Sequence, residues 1–104
     1  MRRIFTTEGL KVGDVLKCSK KLKSRDTGED YWWTSFRVVL APPWNSATFM
    51  TLILKMNPDP DKDVREERID DKFVAELLEP DEWPQGVVAM RTKHVMTGII
   101  RLDT

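Results

Sequence analysis

The sequence predicts an α+β fold, with a small, strongly curved antiparallel sheet or partial β-barrel of about five strands and one amphipathic helix. Segments rich in aromatic and β-branched residues alternate with turn-forming residues, a pattern typical of antiparallel sheets. One later segment, residues 63–79, carries apolar residues at helical spacing instead. Because 104 residues have room for one such core, we expect a single domain, residues 1–104.

The predicted strands are bounded by clear turn signals. We expect a short strand in RRIFTT, a second at about residues 15–22, and strong strands in YWWTSFRVVL and TFMTLILKM, with two closing strands in VVAMRT and HVMTGIIRL. KSRDTGED would form the turn between the second and third strands, since Gly28 can adopt a positive φ. The VGD bend before a strand is common in SH3-, OB- and PUA-like small barrels, which are about the size of this chain. Three residues do not identify a family.

The helix predicted over residues 63–79 rests on an apolar stripe between charged positions. Asp61 or Asp63 would cap its start and Pro80 would end it. The helix would bury Ile69, Phe73, Val74, Leu77 and Leu78. The sheet would add Leu16, Trp32, Phe36, Val38, Phe49, Leu52, Ile53 and Leu54 to the core.

Composition favours a soluble, cytoplasmic protein. Apolar residues make up 40% and charged residues 33% of the chain, as in ordinary globular proteins. The single Cys18 excludes an intrachain disulfide and a cysteine-built zinc site, which suits a reducing compartment. Neither a signal peptide nor a membrane span is expected, because the longest apolar-rich run, ATFMTLILKM, is far shorter than a span.

The charges are segregated although the formal net charge is zero. Residues 2–25 hold eight basic and two acidic residues, whereas residues 59–82 hold four basic and eleven acidic ones. Such asymmetry bears on partners and on their electrostatic steering rather than on the fold.

The predicted hairpin KCSKKLKSRDTGEDYWWTSFRVVL combines basic and aromatic residues. With a loop centred near residue 27, Leu22 pairs with Trp32 and Lys21 with Trp33. This register places Trp32 and Phe36 on a core face. It gathers a basic-aromatic set on the opposite face, which exposed loop residues extend: Lys17, Lys21, Lys23, Arg25, Tyr31, Trp33 and Arg37.

Three interpretations of that set stay open. Aromatic residues flanked by cations can stack the bases and contact the phosphates of single-stranded DNA or RNA. The aromatic residues can instead cover another element while the lysines protect a sheet edge from aggregation. The same face can also bind a protein. The functional hypothesis is a small, non-enzymatic module that binds single-stranded nucleic acid.

The alternative hypothesis is a protein-interaction or regulatory module. Its interface would use the loop tryptophans Trp44 and Trp83 with Glu66 and Asp70 of an acidic helix, which can meet a basic partner. Its partner would be a larger protein, and the sequence leaves the oligomeric state open.

No motif predicts catalysis, a metal or a cofactor. The lone His94 has no recognisable catalytic partner, and Cys18 falls on a core position, which favours a buried thiol. The alternating Asp59, Asp61 and Asp63 resemble the start of a calcium loop, but Val64 stands where that loop needs glycine.

Overall fold

The computed structural model describes residues 1–55, 64–70 and 72–102, in which one α-helix accompanies a six-stranded antiparallel sheet. The elements are β1 (Arg2–Ile4), β2 (Val15–Lys23), β3 (Asp30–Val39), β4 (Thr48–Lys55), β5 (Val64–Arg68), β6 (Phe73–Leu78), a 3-10 turn (Pro80–Glu82) and α1 (Gln85–Met96). The strand order across the sheet is β1-β6-β2-β3-β4-β5. The predicted α+β class, a small curved sheet with one helix, is confirmed.

The helix predicted over residues 63–79 is wrong, because β5 and β6 occupy that segment. Ile69, Phe73 and Leu77 recur every four residues, and this spacing places side chains on one side of a strand as well as on one side of a helix. In β6 the residues Phe73, Ala75 and Leu77 share one face of the sheet. The proposed caps Asp61 and Asp63 lie outside the described residues.

The helix lies instead where the closing strands VVAMRT and HVMTGIIRL were predicted. Pro84 immediately precedes the helix, and Gly98 follows it with a φ of 82°. This placement of proline at the start and glycine past the end is a known helix signal, which the sequence interpretation missed. The β-branched residues of the segment had favoured strands. Among the residues that the structure describes, no helix is long and apolar enough to cross a membrane.

The sheet is curled, and one contact shows which face is inside. Phe49 on β4 and Phe73 on β6 have ring centroids 6.1 Å apart, although β2 and β3 lie between their strands. Three strand spacings in a flat sheet would separate them by about 14 Å. The face that carries both rings is therefore the inner face of a half-barrel. The buried apolar cluster packed there consists of Leu10, Leu16, Cys18, Val39, Phe49, Phe73 and Ala75.

The outer face of the sheet is covered by α1 at one end only. Val87 of α1 is fully buried there, and Met90 and Val95 are partly buried beside it. The helix is weakly amphipathic, since Val88 and Met96 remain exposed. The sheet and C-terminal residues of this second cluster are Val15, Val38, Leu52, Leu54, Leu78 and Ile100. The other end of the outer face, toward the β2–β3 turn, is not covered by the helix.

Candidate nucleic-acid interface

The β2–β3 hairpin extends beyond the sheet. Pairing of β2 with β6 stops at Lys20, and pairing of β3 with β4 starts only at Phe36. Residues 21–35, called the ribbon from here on, are therefore paired in a ladder only with each other among the described strands. One backbone bond, from Lys21 N to Lys72 O at 3.1 Å, fastens the base of the ribbon. From Lys21 to Trp32 every residue except half-buried Ser24 is exposed, so both faces of the ribbon are accessible toward its turn.

The register of the ribbon differs from the predicted one by a single residue. Lys21 lies opposite Trp32, and Lys20 lies opposite Trp33. The turn is the cause: Ser24 N donates to Glu29 O at 2.8 Å and Gly28 N to Ser24 O at 2.9 Å, which closes a six-residue loop. The prediction assumed an odd-numbered loop. Because side chains alternate between faces, a slip of one residue on one strand exchanges its faces relative to the partner strand.

The outer face of the ribbon joins lysines with Trp32. This side chain is 55% exposed, so its assignment to the core was wrong. It lies opposite Lys21, and exposed Lys23 follows two residues later on the same face. Toward the sheet, Ser19 Oγ and Thr34 Oγ1 are 3.2 Å apart, and half-buried Lys17 lies opposite Phe36. The outer face therefore offers one aromatic surface, a hydroxyl pair and three cations in line.

The inner face of the ribbon has a different character. Tyr31, 48% exposed, lies opposite Leu22. Trp33 is half-buried further toward the sheet, with the Arg37 guanidinium 5.9 Å from its ring centre. Arg37 itself is fully buried, and its Nε donates to Ser35 Oγ at 2.8 Å. Its expected place on an exposed basic face was therefore wrong: the register turns it into the barrel.

Charges near the turn leave most cations accessible. Lys23 and Arg25 are exposed, and Lys21 Nζ lies 3.5 Å from Asp30 Oδ2 in a half-exposed ion pair. Exposed ion pairs of this type are worth about 0–1 kcal/mol. An incoming phosphate can therefore displace Asp30 from Lys21 at little cost.

A cleft of about 340 Å³ lies at the base of the ribbon, between the end of β5 and the start of β6. It is lined by Leu22, Phe73, the cations Lys20, Lys21, Arg68 and Lys72, and the carboxylates Glu66 and Asp70. The Asp70 side chain is engaged locally, since its Oδ1 accepts from Lys72 N at 2.8 Å. Cations outnumber carboxylates among these lining residues.

The residues of the alternative protein interface do not form one surface. Trp44, 53% exposed, lies in the loop between β3 and β4, at the end of the sheet opposite the ribbon. Trp83 is half-buried beneath Arg91, whose guanidinium lies 4.6 Å from its ring centre. Glu66 and Asp70 are exposed at the cleft beside the base of the ribbon, on β5 and just after it rather than on a helix.

The remaining candidates are Cys18, His94 and the aspartates of the calcium-like stretch. Cys18 is buried on the inner face, as predicted. His94 lies in the last turn of α1, and its carbonyl accepts from Ile100 N at 3.1 Å. In the part of the chain that the structure describes, no three His, Cys, Asp or Glu side chains are grouped to hold a metal ion. The aspartates of the calcium-like stretch, Asp59, Asp61 and Asp63, lie outside it.

The fold and the ribbon define a class, a curled antiparallel half-barrel with one helix and a projecting basic-aromatic hairpin. Comparison with protein-family models, with curated proteins and with solved structures gave no match for this chain.

Proposed function

We propose that this protein binds single-stranded nucleic acid on the outer face of the ribbon, without catalysing a reaction. The observation that carries the proposal is the exposed indole of Trp32, directly across from Lys21 and outside the part of the sheet that α1 covers. An exposed indole beside a cation is the arrangement on which bases stack in proteins that bind single strands.

The expected contacts follow from the order of side chains along the outer face. One base stacks on Trp32, which is worth about 1–3 kcal/mol. Lys21 and Lys23 flank that ring and contact phosphates. Lys17 contacts a further phosphate of the same nucleic-acid strand, nearer to the body of the sheet. The Ser19 and Thr34 hydroxyls lie between these positions and can donate to a base or a sugar.

The neutral net charge limits this binding to a local surface. Within residues 17–33, five basic residues face three acidic ones, although the whole chain is balanced. Three lysine–phosphate contacts on a single strand predict a slope of about −2 for log K against log salt concentration. We therefore expect moderate affinity that depends on salt, rather than the steep dependence of a strongly basic protein.

The test compares two exposed tryptophans at opposite ends of the molecule. Anisotropy of a labelled oligothymidine and an oligouridine, each about ten nucleotides long, is measured with wild type, Trp32→Ala and Trp44→Ala at two salt concentrations. Trp32→Ala should weaken binding at least about fivefold, the equivalent of 1 kcal/mol, while Trp44→Ala binds as wild type does. Absence of wild-type binding at low salt, or equal losses in the two variants, contradicts the proposal.

A protein partner is the second candidate, and one surface favours it. Thr7 N donates to Ser46 O at 3.0 Å, and Thr7 Oγ1 donates to Asn45 O. These bonds fasten the segment that carries exposed Phe5 to the loop that carries Trp44. Two large exposed aromatic residues on joined segments are suitable interface anchors. A complex that survives nuclease treatment, and that Trp44→Ala but not Trp32→Ala abolishes, would support this candidate.

A further inference from the structure

Each face of the ribbon carries an exposed aromatic side chain, and the two lie at the same distance from the turn. Tyr31 and Trp32 are adjacent on β3, so their side chains point to opposite faces. Their cross-strand neighbours, Leu22 and Lys21, are exposed as well. A surface hairpin that lies on a core exposes stacking groups on one face at most. This ribbon offers one on each side.

Cations accompany the aromatic residue on each side. Lys21 and Lys23 share the outer face with Trp32. The cleft at the base of the ribbon is lined by Lys20 and Leu22, which share the face of Tyr31, and also by exposed Arg68 and Lys72 and by the carboxylates Glu66 and Asp70. Four cations against two carboxylates line this cleft, so a second run of phosphates there would meet net positive charge. Arg25 is exposed in the turn that joins the two strands of the ribbon.

From this two-sided arrangement we infer that the ligand is a branched nucleic acid, in which a duplex opens into two single strands and the ribbon lies between them. The inference rests on the proposed function and extends it. One strand stacks on Trp32 and follows the outer lysines, and the other stacks on Tyr31 and follows the cleft toward Arg68 and Lys72. A lone single strand occupies only one of these faces. No bond is made or broken, since the ribbon holds strands that are already separated.

The experiment compares three DNA ligands that share one duplex sequence: a fork with two unpaired arms, a duplex with one unpaired arm, and a blunt duplex. An RNA set of the same design tests whether the branched ligand is RNA rather than DNA. Affinity is measured with wild type, Tyr31→Ala, Tyr31→Phe, Trp32→Ala and Trp44→Ala. Thermal unfolding of each variant checks that the exposed substitutions leave the fold intact.

The fork should bind at least about fivefold more tightly than the one-armed duplex, because a second base is stacked. Tyr31→Ala should remove that gain, so that fork and one-armed duplex bind equally, while Tyr31→Phe retains it and Trp32→Ala weakens both ligands. Equal affinity for fork and one-armed duplex, or for fork and blunt duplex, overturns the inference and leaves single-strand binding on Trp32 to be judged separately. Failure of wild type to bind any unpaired strand at low salt overturns the proposed function as well.

Discussion

The pairing register of β2 with β3 determines whether Arg37 is buried in the core or exposed on the surface. Its guanidinium lies on the inner face, 5.8 Å from the centre of the Phe73 ring, and is fully buried. Burial of a charged group is costly unless hydrogen bonds accompany it, and Ser35 supplies one of them. The pair is thus part of the core, whereas neighbouring Thr34 points to the outer face with Ser19.

Ser35→Ala should lower the free energy of unfolding by about 2 kcal/mol, because a buried guanidinium loses a hydrogen-bond acceptor. Thr34→Ala, one residue away on the other face, should cost less than about 1 kcal/mol. Chemical denaturation of the two variants checks the difference. Equal losses would mean that Ser35 does not support Arg37 as described.

Gly13 is held at a close approach between the C-terminal segment and the helix. Its φ is +95°, and a Cβ there would lie 2.3 Å from Leu102 Cδ2 and 3.0 Å from an Arg91 terminal nitrogen. Its carbonyl accepts from Arg91 Nε at 3.0 Å. Gly9 has a similar φ of +83° with nothing within 4 Å of such a Cβ.

Gly9→Ala should therefore cost about 1–2 kcal/mol through the backbone alone. Gly13→Ala should cost about 1 kcal/mol more, since Leu102 and Arg91 must also move. Thermal unfolding of both variants measures this difference. A Gly13→Ala variant as stable as Gly9→Ala would show that the C-terminal segment does not pack on Gly13.

At the scale of elements, β2, β3 and β4 were predictable to within one residue at each boundary. The aromatic and β-branched composition of β3 and β4 has one clear interpretation, whereas β2 was bounded by the Gly13-Asp14 bend and the turn after it. The segment of β5 and β6 was ambiguous, since Phe73 and Leu77 fit a helix and a strand equally. Pro84 and Gly98 mark the two ends of helix α1 in the sequence. Its apolar pattern does not predict a helix, because which apolar side chains are buried depends on how the helix packs on the sheet. The ribbon was predictable as a hairpin, but its register depended on a loop length that composition does not specify.

Packing of α1 on the outer face depends on a narrow contact. Val87→Ala should destabilise the protein by about 2 kcal/mol, because a fully buried side chain is shortened. The adjacent Val88→Ala should change stability by no more than about 0.5 kcal/mol, because Val88 is exposed and alanine favours the helix. Circular dichroism melting distinguishes them. Similar losses of stability in the two variants would mean that the helix does not pack on the sheet through Val87.

At the scale of the whole molecule, the two accessible aromatic surfaces lie at opposite ends of the sheet. The ribbon carries Tyr31 and Trp32 at one end, and the loop with Trp44 lies at the other. Trp83 is covered by Arg91, and Trp33 is half-buried beside Arg37. Trp32, Trp44 and Trp83 thus report on three separate places in the fold, and they distinguish a nucleic-acid surface on the ribbon from a protein surface at the far end.

The most direct measurement is a two-dimensional NMR titration of the four indole N–H signals with a single-stranded oligonucleotide at low salt. The signal of Trp32 should shift first and furthest, together with the backbone amides of residues 17–23, while the signals of Trp44 and Trp83 stay in place. Unchanged indole signals, or shifts confined to Trp44, would contradict the account that the outer face of the ribbon is the binding surface.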